Sequence, residues 1–78
     1  MIKTKLGPGM VSSDKHDLDR VIDEAVLVVG ANYSYAFDYI TSKIIRGDYS
    51  SALKANAIKK SSWIRYYVKD KLDTFSYV

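Results

Sequence analysis

From Leu18 to Ile44 apolar side chains return every three or four positions, and that spacing restricts the fold more than any other feature of the chain. Leu18, Val21, Ile22, Ala25, Val28, Val29, Tyr33, Ala36, Tyr39, Ile40 and Ile44 share one side at about 100° per residue. Asp19, Arg20, Asp23, Glu24, Ser34, Asp38, Thr41 and Ser42 take the other. Only Leu27 and Ile45 break the pattern badly. A strand reading competes in the middle. Ala25 to Val29 is short and β-branched, Gly30 to Asn32 can turn, and Tyr33, Tyr35, Phe37 and Tyr39 alternate. Helix is preferred because one helical frame accounts for the whole segment, whereas the hairpin at 25–40 accounts only for its centre. Gly30 falls on the polar side and marks a kink or a break.

Boundaries follow from local chemistry. Gly7-Pro8-Gly9 cannot be helical, so residues 1–12 read as an extended arm. Ser12 or Ser13 can cap the helix that follows, with Asp14, Asp17 and Asp19 near its unpaired N–H groups. Gly47 suits a left-handed position after the helix, and Asp48 can cap the next one. The tripeptide Arg46-Gly47-Asp48 reads as that turn rather than as an adhesion motif. Tyr49, Ala52, Leu53, Ala57, Trp63, Ile64, Tyr67, Val68 and Phe75 form a second apolar stripe, with Lys60 and Lys71 snorkelling at its edge.

The expected fold is therefore mainly α. It has two or three helices, about 13–46 (with a kink or break near Gly30) and 49–75, in a single domain over 13–78 behind the arm. An α+β fold with the 25–40 hairpin is the alternative. At 78 residues the chain holds one small domain that buries only ~60% of its unfolded surface. Two helices of this size leave their stripes half exposed, so a homodimer is expected to complete the core.

Composition excludes much chemistry. There is no cysteine and one histidine, His16, which leaves no thiolate site, no paired-histidine metal site and no nucleophile–base pair. Glycine-rich phosphate loops and serine elbows are missing too. The acids Asp14, Asp17, Asp19, Asp23 and Glu24 are expected to face solvent and serve the helix dipole, with His16 solvated among them. The reading is no enzyme, no cofactor and no metal. The longest apolar run, Ala25 to Ala31, is far short of the ~20 residues a membrane span requires, so no membrane contact is expected, and the absence of cysteine makes a cytoplasmic location the expectation.

Charge is the informative property. Residues 1–39 carry four Lys/Arg and six Asp/Glu, a net of −2. Residues 40–78 carry eight against three, a net of +5. On a helix continuing through 54–71, Lys54, Arg65 and Lys69 lie within about 60°, with hydroxyls between them and Trp63, Tyr66 and Tyr67 close by. Cations neutralise phosphates, and aromatics beside them stack on bases. In a sharper version the helix breaks at Lys59-Lys60 and Ser61 or Ser62 caps a new one. Leu53 to Leu72 then resembles a helix-turn-helix unit, with Ala57 where the turn usually has glycine and with Ser62, Arg65, Tyr66 and Lys69 outward.

The expected function is non-enzymatic binding of DNA or RNA. Lys54, Lys59, Lys60, Arg65 and Lys69 would contact phosphate, with Ser62 and Tyr66 beside them. A second class is a protein-docking inhibitor, of a kind some viruses encode, that occupies an acidic groove of a nuclease, polymerase or toxin. Ten aromatics, seven of them tyrosine, are more than so small a core hides. A third is a structural subunit of a larger assembly.

Overall fold

A computed structural model describes residues 11–76, all of whose regular elements are helical: α1 (Ser12–Val29), α2 (Tyr33–Arg46), α3 (Ser51–Lys59) and α4 (Ser62–Ser76). Each expected long helix is two, so the count is four rather than two or three. The arm over residues 1–12 lies almost wholly outside the described residues, and α1 already begins at Ser12.

Four local devices set the boundaries. Ser12 and Ser13 are not caps but the first helical residues. Val11 is the N-cap, and the buried carboxylate of Asp14 reaches back to accept its N–H at 3.1 Å. Gly30 ends α1 with φ 88° and ψ −177°, a region essentially closed to residues with a Cβ. Asn32 then caps α2, accepting the Tyr35 N–H at 3.4 Å. The hairpin alternative fails at this break. Ala36, Phe37 and Ile40 are buried at helical spacing while Tyr35 is exposed.

Gly47 is extended, with φ −92°, not left-handed. It is required by close approach instead, because a Cβ there would sit 2.8 Å from the Lys43 carbonyl oxygen and 2.5 Å from the Tyr49 ring. Ser50, not Asp48, caps α3 by accepting the Leu53 N–H at 3.1 Å.

The core is drawn from all four helices. Leu18, Val21, Ile22 and Ala25 of α1 meet Ala36, Phe37, Ile40 and Ile44 of α2, Leu53 and Ala57 of α3, and Ile64, Tyr67, Val68 and Leu72 of α4. The α2 helix packs against each of the other three. Four helices thus contribute to one core within a single chain. The last turn of α1 leaves this core. Leu27, Val28 and Val29 are 87%, 59% and 38% exposed, so neither Val28 nor Val29 joins the stripe it was expected to join.

The acids of α1 are not a solvated dipole cluster either; two of them are cross-links. Asp19 accepts from the Tyr67 hydroxyl at 2.5 Å and faces Lys71 at 3.6 Å and Lys15 at 3.8 Å, tying α1 to α4. Both ammonium groups lie 5.9 Å from the Tyr67 ring centroid. Lys71 therefore spans to α1 rather than merely snorkelling, and Lys60 has left the helix. Glu24 accepts from Tyr39 at 2.5 Å and from Lys43 at 2.7 Å, tying α1 to α2.

These bonds have a consequence at high pH. Burial, and then the bond to Asp19, push the Tyr67 phenol well above its ordinary value. Tyr39 and Lys43 are raised by their bonds to Glu24, and Tyr33 is raised by burial. Groups raised in the folded state stabilise it fully below their unfolded pKa values near 10, and that contribution is lost as pH rises through the folded values. The urea midpoint is expected to hold between pH 7 and about 9 and to fall above about 10. Tyr67→Phe should start lower and decline less steeply; an equal decline in both proteins would remove Tyr67 from this account.

Candidate nucleic-acid interface

The break between α3 and α4 decides how the basic residues are arranged. Lys60 ends α3 in the left-handed conformation, with φ 52° and ψ 49°, the only described non-glycine residue at positive φ. Its N–H is bonded to the Ala57 carbonyl at 3.2 Å. Asn56, buried under this turn, donates to the Ala52 carbonyl at 2.8 Å and accepts from the Ser61 hydroxyl at 2.9 Å. The Ser61 hydroxyl oxygen in turn faces the Ile64 N–H at 3.5 Å, and its carbonyl accepts the Arg65 N–H at 3.1 Å. Ser61 is thus the cap, and Ser62 the first helical residue.

The single-helix ridge of Lys54, Arg65 and Lys69 is therefore absent, because the helix that would align them is interrupted at Lys60. The interruption matches the sharper expectation, with two departures from a helix-turn-helix unit. Only Lys60 and Ser61 separate the helices, where that motif has a turn of about 3–4 residues. Ala57 is not in the turn but buried inside α3.

Ser62, Arg65, Tyr66 and Lys69 share an exposed face of α4 and line one open groove of ≈ 710 Å³ together with Trp63 and Tyr33. Lys54, Lys59 and Lys60 do not line it. Lys54 is half-buried on α3, and Lys59 and Lys60 are exposed at the end of that helix. Lys60 precedes Ser62 by two residues, which keeps its backbone within about 7 Å of the groove's end.

Tyr33 and Trp63 were read from the sequence as core positions. Both are half-buried, each with one ring face supported from within. Tyr33 stacks on Phe37 at 5.4 Å between centroids, and Trp63 on Tyr67 at 5.7 Å. Tyr33 arrives from α2, and no local signal connects it to α4. Arg65 lies within electrostatic reach of its phenol and partly offsets the upward push of burial.

Electrostatics distinguish this groove from two others among the described residues. A concavity along α2 is lined by Asp38 as well as Lys43 and Arg46, and Lys43 is committed to Glu24. Another, between α1 and the α2–α3 turn, has Asp17, Glu24 and Asp48 against Arg20. The α4 groove has Arg65 and Lys69 and no carboxylate in its lining. Lys69 does meet Asp73 at 3.9 Å, but both side chains are about 60% exposed, so solvent screens the pair. Arg65, Lys54, Lys59 and Lys60 have no ion pair among the described residues.

Among the described residues, three or more metal-ligating side chains nowhere converge, and no helix is long and apolar enough to cross a membrane. Compared with protein-family models, with curated proteins and with solved structures, the chain matches none.

Proposed function

We propose that this is a small, non-enzymatic nucleic-acid-binding protein acting in the cytoplasm, which grips the phosphate backbone with the outward cations of α4 and the α3–α4 turn. The observation that carries the reading is the convergence of Arg65 and Lys69 with a hydroxyl and three aromatic rings in a groove without acids. The backbone at Lys60 adds support. A left-handed residue with a Cβ costs about 1–2 kcal/mol that glycine avoids, so a lysine there is a local sacrifice of stability. Placing a cation at the groove's end is a reason to keep it.

Binding should weaken steeply with salt. With Lys60, Arg65 and Lys69 as the phosphate contacts, the slope of log K against log[salt] is expected near −2 to −3, from about −0.7 to −0.9 per phosphate. Lys60→Gly should shrink that slope by just under one while leaving the protein at least as stable to urea. A slope near zero, or one unchanged in Lys60→Gly, counts against the assignment.

A second reading is docking on an acidic protein surface. It is favoured by the exposed apolar side chains Leu27, Val28 and Tyr35, which phosphate binding leaves unused.

A further inference from the structure

Resting on that reading, we infer that the α4 groove takes single-stranded nucleic acid, with a base stacked on Tyr66 and the adjoining phosphates on Arg65 and Lys69, and that it disfavours duplex. Three observations carry this. The first is shape. A helix that reads duplex DNA enters the major groove as a projecting cylinder, its residues free to meet base edges. Here the corresponding face of α4 shares a concavity with Tyr33 of a different helix, so it forms the side of a trough. Its ≈ 710 Å³ lies open to solvent, so a flexible unpaired strand can lie along it.

The second observation is the aromatic content. Tyr66 is 80% exposed, and its ring has no stacking partner and its hydroxyl no bond among the described residues. Unpaired bases offer a π-face to such a ring, whereas paired bases spend theirs on each other. The third is rigidity. Tyr33 and Trp63 are held from behind by Phe37 and Tyr67, so the walls are ordered before a strand arrives. DNA and RNA strands present the same base faces and phosphates, so both belong to this ligand class.

The test is fluorescence anisotropy at low salt with labelled oligo-dT and oligo-U of about a dozen nucleotides and a duplex of equal length. Both single strands are expected to bind at least roughly tenfold tighter than the duplex, with a change in Trp63 emission on binding. Tyr66→Ala should weaken single-strand binding roughly 5- to 150-fold, and Tyr66→Phe, which keeps the ring, should hold near the parent. Duplex binding as tight as single-strand binding, or an unaltered affinity in Tyr66→Ala, overturns the inference and leaves nucleic-acid binding standing. Absence of binding to all three probes overturns both and favours the protein-docking class.

Discussion

Ile40→Ala is expected to remove about 2–5 kcal/mol of stability, the loss typical of truncating a fully buried isoleucine or leucine. Ile40 is 0% exposed on α2, which packs against each of the other three helices, so the cavity opens inside the shared core. A chain of this size has only about 4–12 kcal/mol in total. With a urea dependence near 1 kcal/mol per molar, the midpoint should fall by about 2 M or more. Leu27→Ala makes the comparison: the same kind of truncation at a side chain 87% exposed should move stability by no more than about 0.5 kcal/mol. Equal losses at the two positions would mean that the packing described here is wrong.

The second large effect concerns binding. The double variant Arg65→Glu with Lys69→Glu is expected to bind nucleic acid at least about 100-fold more weakly, since two charge-assisted phosphate bonds become two repulsions. Both side chains are exposed, so the helix should persist, although the new acids sit one turn apart and near Asp70 and Asp73. The neutral pair Arg65→Gln with Lys69→Gln avoids that repulsion and should lose roughly tenfold. Lys43→Gln should instead lower stability with affinity kept, because Lys43 serves Glu24. Far-UV circular dichroism and anisotropy together separate these outcomes. A reversal variant that binds like the parent would place the phosphate contacts elsewhere.

Much of the helical content was legible because burial repeats with the helical period. Leu18 to Ala25 and Ala36 to Ile44 satisfied it, and the misfits Leu27 and Ile45 did turn out exposed. Gly30 could be read as a break because few other residues reach its backbone geometry. The α3–α4 break was harder, since a lysine occupies the position where glycine is the usual signal, and only the serines after it pointed to a new start. Two caps were misassigned: Ser50, two residues beyond the expected Asp48, caps α3, and the α1 cap offers only backbone. Val11 has no side-chain acceptor to advertise its role, and Asp14 supplies the bond from inside the helix. What spacing along one helix cannot show is contact between helices. The Asp19–Tyr67 tie and the arrival of Tyr33 beside α4 depend on how the helices pack, and Tyr33 had to look like core because half of it is.

The Tyr67 hydroxyl meets Asp19 across 48 positions of chain. Closing so large a loop is costly in entropy, whereas the neighbouring pairs α1–α2 and α2–α3 close short ones. Adjacent helices, α3–α4 among them, are therefore expected to associate first, and the α1–α4 seam to close later. Loosening that seam by Asp19→Asn is expected to hasten unfolding more than it slows folding, which stopped-flow unfolding and refolding rates check. The groove is borne largely on α4, one of the two helices this seam joins, so opening the seam is expected to loosen the groove as well.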